Sequence, residues 1–143
     1  MEEKVTHQKL IDSAQAFLNP RFVGNHHFGN VASTLITEAG NRYSGVSIST
    51  GAGTGFCAEH SAIAAMVTAG EYKIAKIVAV WRDQAGNLLV LSPCGRCREF
   101  IWQIDEGNLN TEIILGLDTV MKLRDLLPFH EWPNLSTKQA DKA

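Results

Sequence analysis

The cysteine pattern is the feature of this sequence that most restricts its fold. The chain has three cysteines, Cys57, Cys94 and Cys97, and they lie where two helix-like segments begin. A Cys-x-x-Cys pair at a helix N-terminus suits a divalent metal ion, because the helix dipole and the free N–H groups favour thiolates over thiols. Three thiolates can converge on one ion only if the fold places the starts of two helices side by side.

Hydrophobic periodicity predicts a chain in which helices and strands alternate. The predicted elements are a helix over residues 6–18, a β-hairpin over 31–37 and 43–50, a helix over 57–69, a strand over 74–81, a strand or sheet extension over 87–91, a helix over 96–105, a strand over 111–117 and a helix ending at 127. Asp118 or Thr119 is the predicted cap of the last helix. This order predicts an α/β fold whose mixed sheet is covered by helices on both faces.

Length and charge limit the classes of protein to which the chain can belong. A chain of 143 residues predicts one compact domain, here residues 1–132, followed by a polar, loose tail over 133–143. Thirteen basic and fifteen acidic residues give a net charge of −2, which argues against nucleic acid as a partner. The N-terminal stretch is polar and no run of about 18 apolar residues occurs. We therefore expect a cytoplasmic protein without a membrane partner.

The spacing around the cysteines is typical of one kind of metal enzyme. The two stretches read Cys57-Ala58-Glu59 and Pro93-Cys94-Gly95-Arg96-Cys97. Soft sulfur ligands in a tetrahedral set select zinc, and three protein ligands leave a fourth position for water. A ligand followed two residues later by glutamate, together with Pro-Cys-x-x-Cys, is the signature of zinc deaminases. Zinc would make a water molecule acidic, and Glu59 would take its proton and pass it on.

Two further residues are predicted to support the metal. Three thiolates around zinc leave a net charge of −1, so positively charged or hydrogen-bonding partners are expected nearby. His60 and Arg96 are the candidates, and either side chain would donate a hydrogen bond to a thiolate.

Three other interpretations of these residues remain open. Cys57, His60, Cys94 and Cys97 also form an acceptable ligand set for a closed, non-catalytic structural zinc site. The cysteines could instead be small buried side chains of the core. The glycine-rich loop from Gly51 to Gly55 lacks the spacing and the Lys-Ser/Thr of a phosphate-binding loop, so it predicts only a turn.

The motifs "CAEH" at 57–60, "LSPCGRCREF" at 91–100 and "LLP" at 126–128 make the chain resemble the cytidine deaminase family. Within that family the chain is most similar to the blasticidin S deaminases. The resemblance implies a three-layer α-β-α sandwich with a mixed five-stranded sheet, a homotetramer, and zinc held by the three cysteines. It also implies that Glu59 shuttles protons and that the backbone at Ala58 and Ser92 holds the pyrimidine.

The residues that would hold the sugar depart from the pattern of that family. Cytidine deaminases hydrogen-bond the ribose hydroxyls through Asn-x-Glu in the strand before the glycine loop, and the matching positions here are Ser47 and Ser49. The short side chain of serine cannot make the hydrogen bonds that a glutamate carboxylate makes to these hydroxyls. We therefore expect a cytosine nucleoside analogue, of the blasticidin S kind or another modified cytidine, with cytidine and deoxycytidine as the alternative. Phe28 and Trp132 resemble aromatic residues near the family's pyrimidine site.

Overall fold

The computed structural model describes residues 6–131. Its helices are α1 (His7–Gln15), α2 (Ala58–Thr68), α3 (Gly95–Ile104) and α4 (Leu123–Leu126), with a 3-10 helix over Glu106–Asn110. Its strands are β1 (Arg21–Val23), β2 (His26–Thr37), β3 (Arg42–Ser49), β4 (Ile74–Arg82), β5 (Leu88–Leu91), β6 (Glu112–Ile114) and β7 (Val120–Lys122). The predicted domain end at Trp132 and the predicted tail lie outside the described residues and stay predictions. Within residues 6–131, no helix has the length and apolar character needed to cross a membrane.

The strands form one mixed sheet. Hydrogen-bonded neighbours follow the path β1-β2-β4-β6-β7, while β3 pairs with β2 and β5 pairs with β4. The β4–β6 pair is parallel and the other pairs are antiparallel. The predicted α/β class is confirmed, but the described chain has seven strands instead of the five expected.

The first additional strand, β1, lies in a segment where the sequence shows no periodicity. Val23 pairs with His26 across the two-residue turn formed by Gly24 and Asn25, and Gly24 has a φ of 61°. Glycine adopts positive φ without the steric cost of a Cβ, so this position suits a tight hairpin. A Gly-Asn pair between two short extended runs is a known hairpin signal, and it identifies β1 in retrospect.

The second additional strand, β7, corrects the prediction for residues 111–127. The chain turns back after Ile114, which pairs with Val120, and the Thr119 carbonyl accepts a hydrogen bond from Leu115 N–H at 2.8 Å. Asp118 and Thr119 therefore lie in a hairpin turn and do not cap a helix. The helix that follows, α4, begins after Lys122. Pairing with the sheet edge outweighs the local capping preference of these residues.

Alternate residues of the central strands face two different hydrophobic clusters, so the sheet has a helix layer on each face. Helix α1 contributes Leu10, Ile11 and Ala14 to one cluster, where they pack with Val78 and Val80 of β4. On the opposite face, α2, α3 and α4 contribute Ala62, Ile63, Met66, Ile101 and Leu123 to the other cluster, together with Ile77 and Ile113. The predicted three-layer arrangement is thereby confirmed.

Helix α2 lies unusually close to β3 at one glycine. A Cβ at Gly45 would meet the Cβ of Ser61 at 2.3 Å and the backbone nitrogen of Ala62 at 2.5 Å. The Ser61 hydroxyl donates to the Val46 carbonyl at 2.8 Å and joins the same two elements. Because van der Waals contact needs about 3.5–4.0 Å between carbon atoms, only glycine allows this approach.

A buried asparagine connects the end of α3 to the start of β4. Asn108 is 1 % exposed, and its Oδ1 accepts from Ile74 N–H at 2.9 Å. Its Nδ2 donates to the carbonyls of Tyr72 and Ile101, at 2.9 and 3.0 Å. These bonds give partners to the buried backbone groups of Ile74 and Ile101 and to the half-buried carbonyl of Tyr72.

Candidate metal centre and adjoining cavity

The three cysteines come together because two of them cap neighbouring helices. Cys57 is the N-cap of α2 and Cys94 is the N-cap of α3, both with extended backbone. The sulfur of Cys94 accepts a hydrogen bond from Cys97 N–H at 3.4 Å, which brings Cys97 into the same turn. A helix start carries a partial positive charge, so both caps place sulfur where negative charge is favoured.

The sulfur atoms have the spacing of a metal-binding set. Cys94 Sγ lies 3.4 Å from Cys57 Sγ and 3.3 Å from Cys97 Sγ, and the three atoms lie within 4.8 Å of one another. Tetrahedral zinc with Zn–S bonds of about 2.3 Å places its sulfurs roughly 3.8 Å apart. The donor set therefore fits zinc in both chemistry and spacing, and Cys57, Cys94 and Cys97 are the zinc cluster that the sequence predicts.

The protein environment acts differently on the three thiols. Burial raises the pKa of Cys57 and of Cys97, and neighbouring acidic groups raise the pKa of Cys97 further. Burial also acts to raise the pKa of Cys94, but the hydrogen bond from the Cys97 amide and the hydrogen bonds between Cys94 and the other two thiols outweigh it, and its pKa is lowered. A divalent cation deprotonates the thiols that coordinate it, so metal binding and thiolate formation are coupled.

Glu59 is the carboxylate nearest to this cluster in sequence and lines the same cavity as Cys57 and Cys94. It lies in the first turn of α2 and is 5 % exposed. Burial raises the pKa of Glu59, although its own backbone N–H and Cys97 act in the opposite direction. A carboxylate with a raised pKa accepts a proton more readily near neutral pH than an exposed one.

The two predicted supporting residues differ in what they contact. His60 Nδ1 lies 3.5 Å from Cys97 Sγ, and the ring stacks on Phe100 with centroids 4.4 Å apart. Arg96 instead donates from Nη1 to the Gly55 carbonyl at 3.4 Å, because its side chain extends from α3 toward the glycine loop. The structure thus places His60 beside a sulfur and pairs Arg96 with the loop.

The alternative ligand set with His60 does not match the cluster. Among the residues that the structure describes, the donor atoms grouped within 4.8 Å of one another are the three cysteine sulfurs. His60 contacts one of these sulfurs from the side, and Phe56 and Phe100 lie next to its ring. This arrangement favours an open, three-sulfur site over a closed one.

A cavity of about 490 Å³ opens beside the cysteines. Its volume lies within the range of about 300–1,000 Å³ that is usual for small-molecule sites. Four of the predicted substrate-binding residues line it, namely Ala58, Ser47, Ser49 and Ser92. As the first residue of α2, Ala58 has an N–H without an intrahelical acceptor, which is available to a ligand.

Of the two predicted aromatic residues, the structure describes Phe28, and this residue does not line the cavity. Phe28 is outside the lining set, and its half-buried ring lies edge-on to His26 with centroids 6.4 Å apart. The irregular pairing of β2 between Phe28 and Ala32 changes which side chains of that strand face the cavity. Trp132 lies outside the described residues.

Two serine hydroxyls of the lining are already engaged by the protein. Ser47 Oγ accepts from Val31 N–H at 2.9 Å, and Ser92 Oγ accepts from Arg98 Nη2 at 3.0 Å. Ser47 is buried at 9 % exposure, whereas Ser49 is exposed. The hydroxyl of Ser47 therefore joins β3 to β2, while the residue also lines the cavity.

Sequence reasoning missed the apolar part of the cavity wall. The missed residues come from several strands and the glycine loop: Val31, Ile48, Phe56, Ala79 and Leu91. Their pattern is that of ordinary buried strand residues, so nothing local marks them as site residues. The glycine loop itself is a turn, as predicted, and it contributes Gly53 and Gly55 to the rim.

Comparison with known proteins gives one family and several similar structures. The family model described as "Cytidine and deoxycytidylate deaminase zinc-binding region" matches residues 4–111, a range that contains the three cysteines and Glu59. A cytidine deaminase from Mycobacterium leprae is 26% identical with a TM-score of 0.69, over 87% of this chain and 99% of that one. One from Burkholderia pseudomallei is 26% identical with a TM-score of 0.69, over 87% and 98%. A cytidine deaminase from Bacillus anthracis is 23% identical with a TM-score of 0.69, over 94% of this chain and 95% of that one. It shows the shared fold.

Proposed function

Because the chain belongs to the cytidine and deoxycytidylate deaminase family of zinc aminohydrolases, we propose that it deaminates a cytosine nucleoside or nucleoside analogue. The reaction replaces the 4-amino group of the base by a carbonyl, consuming one water and releasing one ammonia. The observation that carries the proposal is the position of Glu59, whose buried carboxylate shares one cavity with the sulfur cluster. A purely structural metal site has no need of a buried carboxylate there.

The proposed role of each residue follows from its place in the cavity. Zinc held by the three sulfurs would supply a Lewis acid that makes a water molecule acidic enough to act as a nucleophile near neutral pH. Glu59 accepts a proton from the attacking water as the C–O bond forms at C4, and delivers it to ring N3. A second proton transfer through Glu59 goes to the 4-amino group, and the C–N bond breaks as ammonia leaves. The N–H of Ala58 and the backbone at Ser92 orient the base.

The residues at the expected sugar-binding positions, Ser47 and Ser49, support a modified nucleoside as the substrate. Both residues occupy positions that the family resemblance assigns to ribose binding. Ser47 Oγ already accepts a hydrogen bond from Val31 N–H. A site built to bind sugar hydroxyls loses much of its preference when the bonding groups are absent. The proposed substrate is therefore a cytosine compound of the blasticidin S kind, or a cytidine altered at the sugar.

Ordinary cytidine or deoxycytidine is the second candidate. The observation in its favour is that the two similar structures at 26% identity are those of cytidine deaminases. The family resemblance also supports a homotetramer, which light scattering of the purified protein would test. The net charge of −2 supports a small molecule over a nucleic acid as the substrate.

The first experiment is an ultraviolet deamination assay of the zinc-loaded protein with cytidine, deoxycytidine and blasticidin S, using Glu59→Ala as the comparison. We expect Glu59→Ala to keep about one zinc per chain while turnover falls by about 10²–10⁴-fold, because proton transfer is lost but no ligand is removed. Glu59→Gln, which keeps the shape of the side chain, should show the same loss. If zinc disappears together with activity in both variants, Glu59 is a structural residue and the proposed role is wrong.

A further inference from the structure

The connection between β5 and α3, residues 92–94, supplies three different parts of the site. Ser92 lines the main cavity, and Cys94 provides one of the three sulfurs. Pro93 is buried and lines a small apolar cavity together with Glu59. The connection has no regular secondary structure, and Pro93 has no backbone N–H to donate. Hydrogen bonds from a side chain are therefore an effective way to fix its position.

Arg98 supplies hydrogen bonds of this kind from the beginning of α3. Its Nε donates to the Pro93 carbonyl at 2.9 Å, and its Nη2 donates to Ser92 Oγ at 3.0 Å. Helical side chains tilt toward the N-terminus of their helix, so the half-buried side chain of Arg98 reaches back over the connection that precedes α3. One guanidinium thus holds both residues that come immediately before the ligand Cys94.

The third hydrogen bond of this guanidinium involves the "LLP" motif, which the proposed reaction does not use. Nη1 of Arg98 donates to the carbonyl of Leu126, the last residue of α4, at 3.1 Å. The last carbonyls of a helix have no intrahelical partner, so this one is free to accept. Helix α4 is fixed in turn by Leu123, which is 0 % exposed and packs in the same cluster as Ile63 of α2 and Ile101 of α3. Arg98 therefore ties the connection to an element that is anchored in the core.

The geometry of these contacts distinguishes positioning from charge compensation. All three acceptors are neutral oxygen atoms, and each is bonded by a different nitrogen of the guanidinium. A planar guanidinium presents its N–H groups in fixed directions, whereas the ammonium of lysine is a single point charge on a flexible chain. Arginine at this position can therefore hold the three acceptors in one arrangement, and lysine cannot.

We infer that Arg98 is a positioning residue of the site: it fixes residues 92–94 against the end of α4, and through them the backbone at Ser92 and the sulfur of Cys94. This inference rests on the proposed function for what Ser92 does to the base. The effect on Cys94 concerns the metal centre and does not depend on the reaction. A movement of the connection would displace both groups together, because they are two residues apart in the same short segment.

The first measurement is the steady-state kinetics of Arg98→Gln at saturating zinc, with whichever of cytidine and blasticidin S the unaltered protein deaminates. We expect kcat to fall about 10²-fold, since a displacement of about 1 Å in a positioning group has an effect of this size. KM should change less, because the base still enters the cavity but is held away from the reacting geometry.

The second measurement reports on the metal ligands without turnover. In the cobalt-substituted protein, absorption by the cobalt–thiolate bonds depends on the positions of the three sulfurs, and we expect Arg98→Gln to change this spectrum. Zinc affinity, measured by competition with a chelator, should fall about 10-fold, at the lower end of the usual effect of groups that orient metal ligands. A residue that only stabilises the fold would lower the urea midpoint and leave the spectrum of the folded protein unchanged.

Two more variants separate the geometry of Arg98 from its charge. Arg98→Lys keeps the positive charge but not the planar set of N–H groups, so it should show most of the loss in kcat and an altered cobalt spectrum. Arg82→Gln is the matched control, because Arg82 is exposed, donates to the Gly86 carbonyl at 2.9 Å and lies outside the cavity lining. It should leave the kinetics and the spectrum unchanged.

Either of two results would overturn the inference. One is a cobalt spectrum and a zinc affinity of Arg98→Gln that equal those of the unaltered protein, and the other is an Arg98→Lys protein that matches the unaltered one in every measurement. If Arg98→Gln does not fold, both criteria apply to Arg98→Lys. A spectrum that depends on Arg98 in a protein that deaminates no cytosine compound would refute the proposed reaction and leave the positioning of Cys94 established. The two proposals can therefore fail separately.

Discussion

The substitution Gly45→Ala tests whether the close approach of α2 to β3 holds the metal centre in place. The added Cβ would lie 2.3 Å from Ser61 Cβ. Since carbon atoms are in favourable contact at about 3.5–4.0 Å, α2 would have to move away from β3 by roughly 1–2 Å. Overpacking of this kind typically costs about 1–3 kcal/mol of folding free energy. Because Cys57 caps α2, the same movement shifts one sulfur relative to the two on α3.

We expect Gly45→Ala to lower the free energy of unfolding by about 1–3 kcal/mol, measured by urea denaturation of the zinc-loaded protein. Zinc affinity, measured by competition with a chelator, should fall by about 10- to 100-fold, the usual effect of disturbing groups that orient metal ligands. Gly51→Ala is the matched control, because a Cβ there meets nothing within 4 Å. It should be neutral or slightly stabilising. Equal unfolding midpoints and zinc affinities for Gly45→Ala and the unaltered protein would refute the reasoning.

Two further predictions concern stability away from the cavity. Asn108→Ala should lower the free energy of unfolding by at least about 2 kcal/mol, because it leaves the buried backbone groups of Ile74 and Ile101 without a partner and each such group costs about 1–3 kcal/mol. Replacement of the exposed Asn87 by alanine should cost much less, and similar urea midpoints for the two variants would contradict this. The Tyr43 hydroxyl donates to Glu71 Oε2 at 2.6 Å and holds the pKa of that carboxyl below its usual 4.5. A lowered folded-state pKa stabilises the protein above the unfolded value, and this stabilisation is lost as the pH falls through the folded value. Tyr43→Phe should therefore flatten the decline in the urea midpoint below pH 4.5, and a profile parallel to that of the unaltered protein would count against the pair.

The sulfur cluster could be predicted from the sequence because its geometry is mostly local. A cysteine at an N-cap and another three residues later lie in one helical turn, so Cys94 and Cys97 converge whatever the rest of the fold does. Only the meeting of this turn with Cys57 depends on tertiary structure. That meeting follows once α2 and α3 pack on the same face of the sheet, which the alternation of helices and strands does not decide, because it predicts only helices on both faces.

The predictions of secondary structure are wrong in two short segments whose structure is decided by pairing with a neighbouring strand. The segment after Ile114 has residues suited to a helix cap, yet it forms β7 because β6 offers an unpaired edge. Strand β1 likewise exists through its pairing with β2, and three residues of that kind carry no periodicity to detect. Local propensity decides little over such short segments when a hydrogen-bonding partner is within reach.

The contacts of individual side chains in the site are the part least accessible to sequence reasoning, because they depend on register. Ser47 can be assigned to the sugar wall by its position in the strand, but its bond to Val31 N–H follows from the pairing of β2 with β3. A shift of one residue in that register would turn the hydroxyl to the other face of the sheet. The same applies to Arg96, for which the sequence suggests a thiolate partner, whereas the structure gives a loop carbonyl and a place in the cavity wall. These contacts depend on strand register and side-chain direction, while the sulfur cluster and Glu59 depend on the first turns of two helices. Within one fold, a catalytic cluster can therefore stay fixed while register and lining residues change the cavity beside it.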